Sequence, residues 1–458
     1  MATEIIAANI EPGSRTQGAE FQETHGQVDA PWGYLHSDFY PETPPISSSA
    51  SESVLALSFI NTKGFEDNPI VAVLGVGYVG SHLVETFSNN FRVIGFDVSS
   101  ERVRELNEKY DTISSISISS NPRDLAQATH FLISVPTLLR PDRTIDSSYL
   151  REALRTVGMV ARRGSTIVIE SSVAVGMTRQ LLGPLAEECG FFAGMSPERV
   201  DPGRKHPSVQ SIPKIISGLD DIVPGSLESI SSIYSRVFEH LVPVSTPEVA
   251  EMTKLYENCQ RMVCIAYANE MADACISHGI NPFEVCDAAS TKPFGFMSYM
   301  PGIGVGGHCI PINPFYLLSN NSFPLLEKAT KIMWSRPAAI AERAVEKLNR
   351  FGKGAVLGSR PRILVVGMAF KAGQSSLSNS PGLELAKHLV VSQQFDVTWA
   401  DALVDELSIP QIKRLPDKEW CKDILEMYDI IFVCLKQCGM DLELLKELKN
   451  PKVEMWCR

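Results

Sequence analysis

The stretch of sequence that decides the fold reads Ile70-Val71-Ala72-Val73-Leu74-Gly75-Val76-Gly77-Tyr78-Val79-Gly80. Its five apolar residues predict a buried strand, and the spacing of Leu83, Val84 and Phe87 predicts a helix after the glycines. A strand, a Gly-x-Gly-x-x-Gly turn and a helix in this order form the pyrophosphate cradle of dinucleotide-binding proteins. We therefore expect the cofactor to contact Gly75, Gly77, Tyr78, Val79 and Gly80.

The identity of the dinucleotide is indicated by an acidic residue at the end of the next strand. The run Phe91–Phe96 predicts that strand, and Asp97 follows it, 17 residues after Gly80. A carboxylate at this place binds both ribose hydroxyls and repels a 2'-phosphate. The pattern predicts NAD rather than NADP; the alternative is a glycine turn that binds no ligand.

Further strand-like runs indicate how the chain is organised around this unit. The runs Phe131–Val135, Thr166–Ile169 and Lys214–Ser217 alternate with helical stretches, as in a parallel sheet covered on both faces. A helix of about 32 residues is predicted after Thr246, which suits an N-cap, with Pro247 at its first position and Gly279 at its end.

The last part of the chain repeats the opening pattern, with strands predicted at Arg362–Gly367 and Asp429–Cys434. The predicted fold class is α/β, with two Rossmann-like doubly wound domains joined by a central helical domain with a long spine helix. We expect an NAD-binding domain at 67–245, a central domain at 246–350 and a C-terminal α/β domain at 351–458, preceded by a disordered extension at 1–66. The glycine-rich stretch Gly352–Pro361 is the predicted linker before the last domain.

Composition excludes several classes of function. The formal net charge is 42 minus 53, or -11, and no basic block is present, so nucleic acid is not an expected partner. No run of 18 apolar residues and no basic-then-apolar leader occur, which predicts a cytoplasmic protein without a membrane span. The ten cysteines include no Cys-x-x-Cys pair and no zinc-ligand spacing, so we expect free thiols and no metal site.

One of these cysteines is a candidate nucleophile. Cys309 lies in Gly304-Val305-Gly306-Gly307-His308-Cys309-Ile310-Pro311, where the small residues let a carbonyl approach the sulfur; the alternative is an ordinary small buried cysteine. Lys254 and Asn258, four residues apart on the long helix, share one face and would present an ammonium and an amide to an oxyanion. The alternative for that pair is a solvated helix face. Ser172 and Glu198 each follow an apolar or strand-like run, where α/β proteins bind ligands, and together could hold a water.

Five motifs in order resemble those of one family. They are the glycine turn, Ser196-Pro197-Glu198-Arg199-Val200-Asp201-Pro202-Gly203, Glu251-x-x-Lys254-x-x-x-Asn258, the Cys309 run, and Gly367-Met368-Ala369-Phe370-Lys371. Over roughly residues 68–458 the chain resembles the UDP-glucose/GDP-mannose dehydrogenase family. The Ser-Pro-Glu-Arg-Val form, and Thr291-Lys292-Pro293-Phe294-Gly295-Phe296 followed by the cysteine run, are most similar to the enzymes that act on UDP-N-acetylhexosamines.

The resemblance implies an NAD-dependent four-electron oxidation of the C6 alcohol of a UDP-N-acetylhexosamine or UDP-glucose to the uronic acid. Cys309 would carry the thiohemiacetal and thioester, Lys254 and Asn258 would stabilise the oxyanions, and Glu198 and Ser172 would orient the water. Lys371 would meet the diphosphate of the substrate, with Phe370 and Gly306 in the same pocket. The resemblance also implies a homodimer.

Among the departures of the chain from the family pattern, two bear on its activity. Asn313 stands where the family has aspartate four residues after the cysteine, and Gln374-Ser375-Ser376-Leu377-Ser378 replaces a stretch that ends in arginine. These changes leave open a low-activity or regulatory relative that binds NAD and nucleotide sugar. A third alternative is a simple two-electron NAD-dependent dehydrogenase, which would have no use for Cys309.

Overall fold

The structure is a computed structural model that describes residues 69–201, 203–204, 206–350 and 360–458. The predicted extension at 1–66 and nearly all of the predicted linker Gly352–Pro361 lie outside the described residues. The predicted domain boundaries stay a prediction.

The first part of the described chain contains ten strands. In chain order they are β1 Ile70–Leu74, β2 Arg92–Phe96, β3 Ile116–Ser119, β4 His130–Ile133, β5 Leu138–Leu139, β6 Ile145–Asp146, β7 Thr166–Ile169, β8 Phe192–Met195, β9 Lys214–Gly218 and β10 Leu241–Pro243. The short β5 and β6 pair with each other, and the other eight form one sheet in the order β10-β9-β8-β7-β4-β1-β2-β3.

Six neighbouring strands of this sheet run parallel and give a doubly wound arrangement; they are β8, β7, β4, β1, β2 and β3. The chain reverses its direction of winding between β1 and β4, which is where α/β sheets bind ligands. The prediction of a wholly parallel sheet is wrong at one place: β9 pairs antiparallel with β8. Among the described residues of the connection from 196 to 213, the only helical element is the short 3-10 turn Val209–Ser211, and the chain returns beside β8 in the opposite direction.

Five helices cover the two faces of this sheet: α1 Tyr78–Ser88, α2 Ser100–Tyr110, α3 Ser148–Val160, α4 Met177–Cys189 and α5 Ser226–Tyr234. Alternate residues of β1 enter different cores, as the pleat requires. Ala72 and Leu74 pack in the core formed with α3 and α4, while Val71 and Val73 pack in the core formed with α1, α2 and α5. Both faces are therefore buried, as the apolar strand runs predict.

Four helices follow: α6 Pro247–Ser277, α7 Pro282–Ser290, α8 Asn313–Leu318 and α9 Pro324–Arg350. The 31-residue α6 confirms the predicted long helix, with Thr246 before its first residue and Gly279 at a φ of +66° after its end. The apolar residues of α6 fall into a buried set and an exposed set. Leu255, Met262 and Ala266 are buried against α8 and α9 and Val263 packs beside them, whereas Met252 and Met271 are exposed.

The C-terminal part forms a second sheet of five parallel strands among the described residues. The strands are β11 Arg362–Val366, β12 Asp396–Ala400, β13 Lys413–Arg414, β14 Ile430–Val433 and β15 Lys452–Met455, in the order β13-β12-β11-β14-β15, with helices α10 Pro381–Val391 and α11 Lys422–Leu425. Gly367 after β11 repeats the turn of Gly75 after β1, with φ of +85° and +84°. The predicted fold class, two doubly wound units with a long helix between them, is confirmed.

Candidate active site

The glycine turn between β1 and α1 has the geometry of a pyrophosphate cradle. Gly75 takes a φ of +84°, and a Cβ on Gly80 would lie 1.8 Å from the Gly75 carbonyl oxygen. A Cβ on Gly77 would meet no heavy atom within 4 Å, so this side of the turn is open. The helix begins at Tyr78 without a side-chain cap, which leaves its first N–H groups for an anion. Tyr78 is exposed and Val79 is half-buried at the same edge.

Asp97 lies at the carboxyl end of β2 beside this turn. Its Oδ2 accepts a hydrogen bond from Val76 N at 3.0 Å and its Oδ1 accepts one from Ser99 N at 3.0 Å. Because a carboxylate has about four acceptor sites, both oxygens can still accept from ribose hydroxyls. The arrangement of Gly75, Gly77, Gly80 and Asp97 fits a dinucleotide.

Sequence reasoning missed Arg102, which buttresses the turn. Its Nε donates to Val76 O at 3.0 Å and its Nη2 donates to Ser81 Oγ at 3.0 Å. The sequence signal that could have identified it is a basic residue in the first turn of α2, five residues after Asp97.

The loop that carries Cys309 packs against the C-terminal sheet unit. A Cβ on Gly306 would lie 2.8 Å from Phe370 Cβ, and a Cβ on Gly307, whose φ is +90°, would lie 2.8 Å from Phe370 Cε2. Gly307 N donates to Ser378 O at 2.8 Å, and Asn379 Nδ2 donates to Gly307 O at 2.9 Å. Glycine is therefore required here by close approach, and Phe370 lies against the cysteine loop as the predicted pocket needs.

Cys309 itself is half-buried at the entrance to α8. Its carbonyl oxygen accepts from Asn313 N at 2.9 Å, which fixes the turn between them. Lys254 and Tyr316 both interact electrostatically with Cys309. The long helix and the cysteine loop therefore bring an ammonium to the thiol.

Lys254 is 7 % exposed, and its Nζ donates to the backbone carbonyl oxygen of Glu198. Burial lowers the pKa of Lys254, and electrostatic interactions with Cys309, Glu198 and Glu257 offset only part of this effect. The pair predicted from helical spacing is thus buried at the site, and the alternative of a solvated helix face is wrong.

Asn258, one turn further along α6, is fully buried. Its Nδ2 donates to Asn313 Oδ1, and its Oδ1 accepts from Arg261 Nη2. This chain of hydrogen bonds fixes which end of the Asn258 amide points toward α8. Arg261 was missed from the sequence, although it lies three residues after Asn258 on the same helix face.

Glu198 lies in the loop after β8 with its side chain 11 % exposed. Its Oε1 accepts from Arg199 N at 2.6 Å and Val200 N at 2.7 Å. Burial opposes the charged form, but Lys214, Lys254 and the two amides outweigh it and hold the pKa of Glu198 below its usual range. The carboxylate is therefore ionised, with Lys214 and Lys254 as the cations near it.

Ser172 follows β7 and is half-buried. Its backbone carbonyl oxygen accepts from Thr137 Oγ1 at 2.8 Å. Within the described part of the chain, no side-chain hydrogen bond joins Ser172 to Glu198. The two residues follow the neighbouring strands β7 and β8.

Lys371, from the turn after β11, reaches across to the loop after Glu198. Its Nζ lies 2.7 Å from Asp201 Oδ1, and Gly203 N in the same loop donates to the hydroxyl of Tyr78 at 3.1 Å. This loop therefore joins the glycine turn on one side to the C-terminal unit on the other.

Among the residues that the structure describes, no group of three or more His, Cys, Asp or Glu side chains is arranged to hold a metal ion. No helix among them is long and apolar enough to cross a membrane.

Comparison with known proteins gives a consistent result. Residues 70–238 match the model of the UDP-glucose/GDP-mannose dehydrogenase family, NAD binding domain, and residues 248–332 match that of the family's central domain. The chain is 33 % identical over 343 residues to UDP-N-acetyl-D-mannosamine dehydrogenase of Pyrococcus horikoshii, covering 69 % of this chain and 80 % of the relative. It is 32 % identical over 368 residues to UDP-N-acetyl-D-glucosamine 6-dehydrogenase of Pseudomonas aeruginosa, covering 72 % and 83 %.

Solved structures agree with these matches. The structure of UDP-D-ManNAc dehydrogenase from Pyrococcus horikoshii superposes with a TM-score of 0.74 at 28 % identity, covering 84 % of this chain and 95 % of that one. The chain belongs to the UDP-glucose/GDP-mannose dehydrogenase family.

Proposed function

We propose that this protein oxidises the C6 alcohol of a UDP-N-acetylhexosamine to the carboxylic acid with two NAD, through covalent intermediates on Cys309. The observation that carries the proposal is the convergence of Cys309, Lys254, Asn258 and an ionised Glu198 in one partly buried cluster. The names of the relatives, which act on UDP-N-acetyl-mannosamine and UDP-N-acetyl-glucosamine, support this substrate class over UDP-glucose.

Gly75, Gly77, Tyr78, Val79, Gly80 and Asp97 would hold NAD, which would supply the hydride acceptor for each of the two oxidations. Gly77 leaves room for the pyrophosphate, and the uncapped N-terminus of α1 presents N–H groups to it. The Asp97 carboxylate receives the ribose hydroxyls and repels a 2'-phosphate.

Cys309 retains the aldehyde between the two oxidations. Its sulfur adds to the carbonyl carbon and forms a thiohemiacetal, which becomes a thioester after the second hydride leaves. The Lys254 ammonium and an N–H of Asn258 stabilise the oxyanion that forms at each stage. Because both side chains are buried, their charge and dipole act in a site with little screening water.

Release of the acid requires a water. We assign Glu198 as the base that takes its proton, with Ser172 at the neighbouring strand end orienting it. Asn313, at the start of α8, supplies an amide in place of a carboxylate and holds the orientation of Asn258.

The nucleotide part of the substrate lies between the cysteine loop and the C-terminal unit in this proposal. Lys371 meets the diphosphate, and Phe370 and Gly306 form the wall of the same pocket. Asp201, at 2.7 Å from Lys371 in the structure, is the group that the diphosphate would displace.

The test is product analysis by mass spectrometry after incubation with NAD and, separately, UDP-N-acetylglucosamine, UDP-N-acetylmannosamine, UDP-glucose and GDP-mannose. We expect a uronic acid from a UDP-N-acetylhexosamine, with two NADH formed per sugar. Cys309→Ser should abolish acid formation. A Cys309→Ser variant at full rate whose product stays at the carbonyl level would favour the simple two-electron dehydrogenase.

A second function, a low-activity or regulatory relative, is favoured by one observation. Asn313 is neutral and already engaged with Asn258, so it brings no charge to the hydrolysis step. If this function is right, Asn313→Asp should raise kcat above that of the wild type. Equal kcat values in the variant and the wild type would count against it.

We also propose that the protein is a cytoplasmic homodimer. The support is an exposed apolar surface on α6, formed by Met252, Tyr256, Tyr267 and Met271, which are 36 %, 71 %, 62 % and 44 % exposed. Surfaces of this kind mark contact sites between proteins. Light scattering during size-exclusion chromatography tests the proposal, and a monomer would refute it.

A further inference from the structure

A buried cluster of charged groups lies behind Glu198. Lys214 Nζ is 2.6 Å from Glu170 Oε2 and 3.6 Å from Glu198 Oε2, and the hydroxyl of Tyr234 donates to Glu170 Oε1. The side chains of Lys214 and Glu170 are 4 % and 0 % exposed. Lys214, Glu170 and Tyr234 have no role in the mechanism above.

The reversed strand β9 places Lys214 there. Met195 pairs with Ser217 and Gly194 with Gly218, so continuing the antiparallel register sets Lys214 opposite Glu198. A parallel β9 would have carried its first residue to the other end of the sheet. The exception to the parallel arrangement thus brings a cation to the active-site edge.

The cluster is costly for the fold and is held firmly. One ammonium shared by two buried carboxylates contributes little net stability, because desolvation offsets the attraction. Lys214 Nζ also lies 5.5 Å from the ring centroid of Phe238 and 6.0 Å from that of Tyr234, so aromatic faces close the remaining sides. An arrangement of this cost indicates a role in orienting the group it touches.

The carboxyl groups of Glu170 and Glu198 differ in how readily they ionise. Burial raises the pKa of Glu170 to about 7, although Lys214 opposes this effect. Glu198 keeps a pKa below its usual range because Lys214, Lys254 and two backbone amides outweigh its burial. Glu198 is thus the member that holds its negative charge.

We propose that Lys214 is a positioning residue for product release, holding the Glu198 carboxylate ionised and fixed, while Glu170 and Tyr234 hold the ammonium in place. This role rests on the proposed function. In the step concerned, the water oxygen attacks the acyl carbon and its proton passes to Glu198. The carbon–sulfur bond breaks, and Cys309 leaves as thiolate. The oxidation steps that precede it do not use Glu198 as base.

The test is stopped-flow measurement of NADH formation by full-length Lys214→Met with the UDP sugar that the wild type oxidises. We expect a burst of two NADH per site at the wild-type rate, followed by a steady state slower by about 100-fold, the lower range for loss of an effective general base. Intact mass spectrometry should show the acyl adduct on Cys309. Lys387→Met, which removes a lysine paired with Glu384 on α10, is the matched control and should behave as wild type.

The pH profile supplies a readout that a merely structural role would not move. The groups facing Glu198 are Glu170, Lys214, Tyr234 and Lys254, with Arg199 adjacent and paired with Glu257. Removing the Lys214 cation raises the pKa of Glu198. The acid limb of the steady-state rate should therefore move to higher pH in Lys214→Met.

A second variant keeps the proposal testable if Lys214→Met does not fold. Lys214→Met combined with Glu170→Gln removes both buried charges together and should show the same burst and slow release. A burst slowed as much as the steady state, or an unchanged steady state and pH profile, would overturn the positioning role alone. A wild-type protein that reduces no NAD with any UDP sugar would overturn the function and this role with it.

Discussion

Replacing Gly307 by alanine tests whether the C-terminal unit positions the nucleophile. Gly307 has a φ of +90°, and an added Cβ would lie 2.8 Å from Phe370 Cε2 and 3.0 Å from its Cδ2. The variant therefore imposes two separate costs, backbone strain and a clash with an aromatic ring, two residues before Cys309.

The magnitudes follow from these two costs. An alanine in the left-handed region costs about 1–2 kcal/mol. Forcing a methyl group into a packed site adds roughly 1–3 kcal/mol. The sum is about 2–5 kcal/mol of stability if the loop stays in place. If the loop moves instead, a displacement of about 1 Å at Cys309 would lower kcat by on the order of 100-fold.

A matched glycine separates the two costs. Gly164 has a φ of +81°, and an added Cβ there would meet no heavy atom within 4 Å. Gly164→Ala should therefore lose only the strain, about 1–2 kcal/mol, and keep its kcat.

The free energy of unfolding is measured by urea denaturation monitored through tryptophan fluorescence. The kcat is measured as the rate of NADH formation at saturating substrate. Gly307→Ala combined with Phe370→Ala should recover part of the lost stability, because the ring no longer meets the methyl group. The reasoning would be refuted if Gly307→Ala lost no more stability than Gly164→Ala and also kept its kcat.

Three further outcomes are expected. Lys254→Met should lower kcat by about 100- to 1,000-fold, as loss of an oxyanion donor does, and an NADH assay showing less than a tenfold loss would contradict its role. Asp97→Ala should raise the KM for NAD and narrow the preference over NADP, which steady-state kinetics with both cofactors will measure. Burial lowers the pKa of His130 to about 4, so the unfolded chain binds a proton between pH 6.5 and 4 that the folded one does not. Stability should fall by about 3 kcal/mol as pH drops through that window, and less so in His130→Gln; equal loss in both proteins would exclude this cause.

The local features of the fold follow from the sequence. An apolar run of five residues favours a buried strand, and a strand, glycine turn and helix in this order have one common architecture, so β1, α1 and the turn between them were predicted correctly. The long helix was equally readable because Pro247 and Gly279 mark its ends. The direction of β9 was not readable, since a short apolar strand has the same pattern whether it runs parallel or antiparallel.

The residues of the candidate site also separate into those that the sequence could identify and those that it could not. Cys309, Lys254, Asn258 and Glu198 each stood in a motif or a helical spacing, so the sequence singled them out. Glu170, Lys214 and Tyr234 lie in three separate elements and carry no local pattern. Their proximity comes from sheet register, which is a long-range property.

The sequence by itself determined the doubly wound units and the preference for NAD, and it singled out Cys309 as the candidate nucleophile, because each depends on residues close together in the chain. Only the tertiary structure decided what surrounds that nucleophile. Phe370 presses on the glycines before Cys309, and the antiparallel return of β9 sets Lys214 opposite Glu198. The physical reason is that turns and helices are specified by neighbouring residues, whereas packing and strand register depend on segments more than a dozen residues apart.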